Sequence, residues 1–308
     1  MAEATLYKEA LNVVDYTPST AKTAGEVIQL PDGRAGVVVS TLAASAKGAA
    51  YTAGIFTVAK TTSMVVLNGQ KLYWDKTNSK AKYTGDFYIG VAMADGAAAD
   101  TTIKVALNVE QEPVIALNKG TWSVVESTAA VTNLMGNGNK LAVTTAGSAQ
   151  HAWLYSDKVI DIDEKPILEG WVGVFDNGDA TVLDMDWGLA DDAGTTDFDA
   201  LSEFIAFHLD GNDLDLDAHS DDGTTDIAPV DTEQDLTEDT YYFFQIDLRD
   251  KTAPLLYVNG VLCTSTGIVM SAYTGALRAV LAIEKSGTDD TPGEIRVREL
   301  NVRTGVTA

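Results

Sequence analysis

The sequence predicts an all-β protein in two parts: a small N-terminal β-domain and a larger C-terminal jelly-roll β-sandwich. Helical periodicity is nearly absent, and short apolar runs bounded by Gly, Asp, Asn and Thr recur from end to end, which is the signature of antiparallel strands. At 308 residues the chain is longer than one ordinary core serves. Its charge also breaks in the middle: residues 1–112 carry 11 acidic against 10 basic side chains, and residues 113–308 carry 34 against 11. Nearly all of the net charge of −24 therefore belongs to the second part. Surfaces that different face different surroundings.

Residues 1–23 hold no convincing strand set and read as an extended arm. Apolar runs follow at 27–30, 35–40, 54–60, 71–74, 88–92 and 102–107, giving a β-domain over 24–110. Asp32-Gly33 and Asn68-Gly69 between them are hairpin dipeptides that tolerate positive φ. Residues 111–120, with Pro113 and the change of charge balance, read as a short junction. The remainder, 121–308, has runs at 122–126, 140–144, 151–156, 167–174, 180–189, 203–209, 213–217, 241–248, 254–258, 279–283 and 294–302. That many short antiparallel strands fit two sheets packed face to face.

Composition excludes several classes of function. From Pro166 to Leu248 there is no Lys or Arg, so this face repels phosphate backbones and anionic lipid, and nucleic acid and membrane are not expected partners. The single cysteine, Cys263, leaves no disulfide framework. The first residues lack a basic segment followed by an apolar one, and no stretch reaches about 18 apolar residues, so neither Sec export nor a membrane span is expected. Synthesis in a host cytoplasm follows.

The first part has an order of elements specific enough to carry a resemblance. Ala24-Gly25-Glu26-Val27-Ile28-Gln29-Leu30 is followed by Gly33-Arg34-Ala35-Gly36-Val37 and Ala53-Gly54-Ile55-Phe56-Thr57-Val58-Ala59-Lys60. Then come Gly69-Gln70-Lys71-Leu72-Tyr73-Trp74-Asp75, Tyr88-Ile89-Gly90-Val91-Ala92 and Thr102-Ile103-Lys104-Val105-Ala106-Leu107-Asn108. Over residues 1–110 this resembles the tailed-phage capsid decoration, or cement, family. The resemblance implies a small β-barrel or β-tulip-like domain on the outer capsid surface of the virion. It further implies the major capsid protein as partner, a homotrimer, and an arm lying on the capsid lattice. Some relatives are labelled recombinases of the RecA type; the chain has no Gly-x-x-x-x-Gly-Lys-Ser/Thr phosphate loop to support that. In the second part, Trp187-Gly188-Leu189-Ala190-Asp191, the run 204–211, the run 241–249 and Leu256-Tyr257-Val258-Asn259-Gly260 resemble strands of concanavalin A-like lectin and glucanase sandwiches.

Candidate chemistry is sparse. Glucanases of that superfamily use Glu-x-Asp-x-x-Glu on one strand. Asp184-Met185-Asp186-Trp187-Gly188 is the nearest match and lacks both glutamates, so it reads as a strand with Met185 and Trp187 on one face and the aspartates on the other. Asp210, Asp213, Asp215, Asp217, Asp221 and Asp222 are the metal candidates, for Ca²⁺, which takes clustered oxygen ligands from loops. An EF-hand is excluded, because Ala218 and Thr224 stand where its glycine and glutamate belong. Apart from that Ca²⁺ no cofactor is expected. His151, His208 and His219 have no ligand-type partner at i,i+2 or i,i+4 and read as isolated, against zinc or a Ser-His-Asp triad. Trp122, Trp153, Trp171 and Trp187 read mostly as sandwich core, with one or two free to stack on a sugar.

The expected function is capsid decoration without enzymatic activity, the arm supplying contacts through Leu6, Tyr7, Leu11, Val13, Val14 and Tyr16. The alternative is an adhesin whose sandwich binds a host or environmental glycan. A glycoside hydrolase is a third reading, which the missing glutamates oppose.

Overall fold

A computed structural model describes residues 3–8, 12–110, 115–116, 122–127, 129–134, 138–144, 147–178, 182–194, 197–263, 267–287 and 292–304. Every regular element among them is a strand, apart from two single 3-10 turns. No helix is long and apolar enough to cross a membrane. The chain divides into two compact units, Met1–Glu112 with Thr307–Ala308, and Pro113–Val306.

The first unit contains β1 (Ala4–Lys8), β2 (Val13–Tyr16), β3 (Val27–Gln29), β4 (Ala35–Val38) and β5 (Gly48–Tyr51). It continues with β6 (Ile55–Ala59), β7 (Lys71–Asp75), β8 (Lys80–Lys82), β9 (Phe87–Ala92) and β10 (Thr102–Leu107). They form a six-stranded sheet in the order β1-β6-β10-β9-β7-β8 and a four-stranded sheet in the order β2-β5-β4-β3. Period-two alternation explains the six-stranded sheet: Phe56 and Val58, Leu72 and Trp74, and Ile103 and Val105 are buried, while the residues between them are only half-buried. Gly90 lets β9 approach β10 closely; at its φ of 139°, a Cβ would stand 1.9 Å from the Ala106 carbonyl oxygen.

The extended arm is corrected here. Its described residues include two edge strands, β1 antiparallel to β6 with Ala4 opposite Val58, and β2 antiparallel to β5 with Val13 opposite Tyr51. The physical reason is that β5 and β6 would otherwise leave backbone N–H and C=O groups unpaired, and two short segments of strand-forming residues satisfy them.

The second unit contains β11 (Ile115–Ala116), β12 (Trp122–Ser127), β13 (Ala130–Leu134), β14 (Gly138–Val143), β15 (Gln150–Ser156) and β16 (Ile160–Asp161). Next are β17 (Ile167–Asp176), β18 (Leu183–Ala190), β19 (Glu203–Asp210), β20 (Asp215–Asp222) and β21 (Asp226–Asp235). The last are β22 (Thr240–Asp247), β23 (Leu255–Val258), β24 (Val261–Leu262), β25 (Ala276–Lys285) and β26 (Gly293–Arg303). Two eight-stranded antiparallel sheets result. One runs β13-β14-β26-β17-β22-β23-β24 with β11 beside β26, and the other runs β12-β15-β25-β18-β19-β20-β21 with β16 beside β25. One apolar core lies between them. At its centre Trp187 of β18 meets Phe207 of β19 at 5.9 Å and Phe244 of the opposite sheet at 5.0 Å between ring centroids. Such rings fill the roughly 10 Å between stacked sheets.

A second, smaller cluster covers the other side of the β18 sheet: Trp153, Ala190, Phe198, Leu201, Phe204, Ala206, Val280 and Ala282. The connection from β18 to β19 folds back over the sheet, and its 3-10 turn Phe198–Ala200 stacks Phe198 on Trp153 at 5.5 Å and 13°. Asp197 caps that turn by accepting the Asp199 N–H.

Candidate functional site

Under the Phe198 turn lies a cluster of charged side chains from adjacent strands. Alternation along β18 sends Met185, Trp187 and Leu189 into the core, so Asp184 and Asp186 face the other way, as their spacing predicts. In register, Asp186 lies opposite His208 of β19, and Asp184 opposite Glu284 of β25. His219 of β20 is opposite Ala206, one step along the same face. Asp186 and His219 are each only 1% exposed, and His208 and Glu284 are also buried.

The distances are short. His208 Nδ1 is 2.8 Å and His219 Nε2 is 3.0 Å from the same oxygen, Asp186 Oδ1. The other ring nitrogens each face a further carboxylate, His208 Nε2 at 3.4 Å from Asp210 Oδ1 and His219 Nδ1 at 3.4 Å from Asp199 Oδ1. Asp186 Oδ2 and Glu284 Oε1 are buried without a hydrogen bond. Glu284 Oε2 accepts the Phe198 N–H at 2.8 Å.

Electrostatics follow from this packing. Burial opposes the charged form of Asp186, yet the charge and hydrogen bond of His208 outweigh it and bring the carboxyl down to about 2. Burial also opposes the His208 imidazolium, and Asp186, Asp210 and Asp184 together raise it to about 10. His219 is raised as well, its contacts with Asp186 and Asp199 overcoming burial. Burial and then the Asp186 charge push Glu284 up to about 9 and Asp184 up to about 7. The reading of His208 and His219 as isolated is thus corrected: they share one carboxylate oxygen. A search along the chain misses them because the partners stand across strands. The usable signal was that Asp186 and His208 fall on successive runs with the parity of one face; His219 lies two residues beyond the run at 213–217, which the strand β20 extends to include.

The six calcium candidates do not converge. Asp210 and Asp217 lie beside His208, and Asp213 accepts the Asp215 N–H. Asp215 is in register with Asp235 of β21, and a carboxyl–carboxyl hydrogen bond with Asp235, then the charges of Asp213 and Asp235, raise the Asp215 carboxyl to about 6. Asp221 accepts the Gly223 N–H. The buried Asp222 carboxylate accepts the N–H groups of Thr224, Thr225 and Ala272, which keep its pKa low against burial, so its oxygens serve the fold.

Of the arm candidates, Val13 is 54% exposed, whereas Val14 and Tyr16 pack on the cluster of Ile28, Leu30, Val38, Leu42 and Ala50. Leu6 and Tyr7 belong to β1, with Leu6 opposite Phe56; their side chains, like Leu11 altogether, lie outside the described residues. Trp153 and Trp187 are buried and offer no ring to a sugar. On the outer face of β17, β22 and β26, Arg296 and Arg298 already cover the rings of Phe175 and Tyr241, at 3.7 and 3.8 Å from their centroids.

The strands of the first unit, in two sheets that each take an edge strand from the N-terminal segment, are the part for which a family is found. Residues 8–107 match the phage cement protein family. The match takes in β2 to β10 of the cement-like unit and leaves the sandwich outside it. No curated protein matches the chain in sequence. Among solved structures, the carbohydrate recognition domain of Emp47p is similar at 13% identity and a TM-score of 0.45, covering 62% of this chain and 93% of that one. The metal-free carbohydrate recognition domain of Emp46p gives 15%, 0.42, 61% and 89%. Alginate lyase A1-II′, a member of polysaccharide lyase family 7, gives 11%, 0.42, 56% and 82%. At such TM-scores these likenesses add nothing to the two-sheet architecture described above.

Proposed function

We propose that the protein is a decoration subunit of a tailed-phage head, without enzymatic activity. The cement-like unit binds the major capsid protein on the outer surface of the mature head, and the acidic sandwich faces solvent around the virion. The match of residues 8–107 to phage cement proteins carries this reading. The physical logic is mass action: a subunit that buries area across neighbouring capsid proteins stabilises the assembled lattice and has no effect on the dispersed one. Trimeric assembly through a flank of the 24–108 region belongs to the same proposal.

The docking element follows from the corrected arm. β1 and β2 are the edge strands of their sheets, so capsid contact runs along a strand edge, with Val13 presented outward, rather than along a free segment. The test is co-sedimentation of the full chain with undecorated heads. Saturable binding with a fixed stoichiometry per capsid protein is expected, together with a higher melting temperature of the heads. Protein left in the supernatant at micromolar concentration would overturn the reading.

A further inference from the structure

We propose that Asp186, His208 and His219 bind a divalent transition metal of the zinc class. The donor set is two imidazoles and one carboxylate, each offering one ligand atom, all within 4.8 Å of one another and all buried. Nitrogen ligands select zinc, cobalt, nickel or iron over calcium and magnesium, which take oxygen. Around a metal with bonds of about 2.0–2.1 Å, neighbouring ligand atoms stand roughly 2.8–3.4 Å apart, by the geometry of an octahedron or a tetrahedron. Asp186 Oδ1 is 2.8 and 3.0 Å from the two nitrogens, at the near end of that spacing.

The outer partners point the same way. Metal-binding histidines donate their other N–H to a carboxylate or carbonyl, which fixes the tautomer and raises ligand basicity. Here Asp210 faces Nε2 of His208, and Asp199 faces Nδ1 of His219, each at 3.4 Å. His208 would thus ligate through Nδ1 and His219 through Nε2, each ring keeping its remaining proton toward its carboxylate. The ligating nitrogens release any proton they carry when the metal binds. Asp186 Oδ2 is buried without a hydrogen bond, and the Asp186 carboxylate meets both imidazoles through Oδ1 alone, an arrangement a metal would relieve. No Lys or Arg lies between residues 166 and 248, so the strands that supply the ligands place no lysine or arginine against Asp186 in competition with a metal. Packing of Phe198 on His219 at 5.5 Å closes the site, so metal enters during folding.

The experiment is refolding of the full chain from denaturant with one equivalent of Co²⁺ or Zn²⁺, then desalting, metal analysis and visible spectroscopy. Near-stoichiometric metal and a Co²⁺ d–d band are expected. His208→Gln and His219→Gln should each lose at least tenfold in affinity, and His151→Gln should change nothing. Asp199→Asn alters only an exposed carboxylate that supports His219, so it tests the site even if the histidine variants fail to fold. Its expected loss is about tenfold, by analogy with outer partners in other sites. Absence of retained metal, affinity unchanged in all three site variants, or equal retention of Ca²⁺ would overturn the proposal.

Discussion

Glu169 and Arg303 form a buried bidentate pair that closes the end of the β17–β26 contact, and its removal should be among the most damaging changes in the sandwich. Arg303 Nε donates to Glu169 Oε1 at 3.1 Å and Nη2 to Oε2 at 2.9 Å, with Arg303 3% and Glu169 6% exposed. Glu169→Gln keeps the shape and removes the anion. A buried charge deprived of its partner costs about 3–5 kcal/mol. In a unit of this size each kcal/mol moves the melting temperature by roughly 2–4 °C, so a fall of about 6–20 °C is expected. Differential scanning calorimetry of the full chain reads it, with urea unfolding as a check. Because the two charges have been removed from water together, Glu169→Met/Arg303→Met should recover most of the loss, giving a coupling well above about 1 kcal/mol in a double-mutant cycle. A single variant within about 1 kcal/mol of the parent, or a double variant as damaged as the single, would refute the reasoning.

Val13→Glu, on the outward side of β2, should leave circular dichroism unchanged and weaken co-sedimentation with undecorated heads at least tenfold, about 1.4 kcal/mol. Gly188→Ala would place a Cβ 2.1 Å from the Ile205 carbonyl oxygen, forcing β18 from β19; loss of folded protein is expected in expression and calorimetry, and a soluble variant of parental stability would contradict the register. Burial pushes the Cys263 thiol up to about 12, so it should resist a disulfide reagent at pH 8 in the folded chain and react fully in guanidinium; rapid native labelling would contradict its packing. Asp215 sits opposite Asp235, and its folded pKa of about 6 is above the unfolded value, so this pair favours the fold at low pH and weakens it as pH rises through about 4 to 6. Asp235→Asn should therefore raise the melting temperature at pH 7 in low salt, with the gain shrinking at pH 4 and in high salt; a gain independent of both would rule out like-charge repulsion.

The strands were legible where the sequence gives an alternating or continuous apolar run of four or more residues between turn signals. The runs at 54–60, 71–74, 102–107, 151–156 and 203–209 correspond to β6, β7, β10, β15 and β19, because each pairs a buried face with a neighbouring strand's matching face. Short or low-contrast segments were not legible. Ala4–Lys8, Val13–Tyr16, Gly48–Tyr51 and Lys80–Lys82 are strands because a neighbouring edge needs their backbone, a demand that no local pattern expresses. The acidic run at 213–217 showed one strand, yet the chain makes the hairpin of β20 and β21, since the Asp-rich turn is tied by Asp221 and Asp222 to its own backbone amides.

By itself the sequence determined the all-β class, the two-part charge distribution and the order of elements in residues 8–107 that matches the cement family. Those properties are local: alternation, turn dipeptides and side-chain charge need no knowledge of what lies across a sheet. Tertiary structure alone decided which residues meet. Asp186, His208 and His219 stand on three consecutive strands with no short-range spacing between them, and antiparallel register brings their ligand atoms within 4.8 Å. The Phe198 turn then excludes water from them, and this burial, not the residue types, makes the cluster a site.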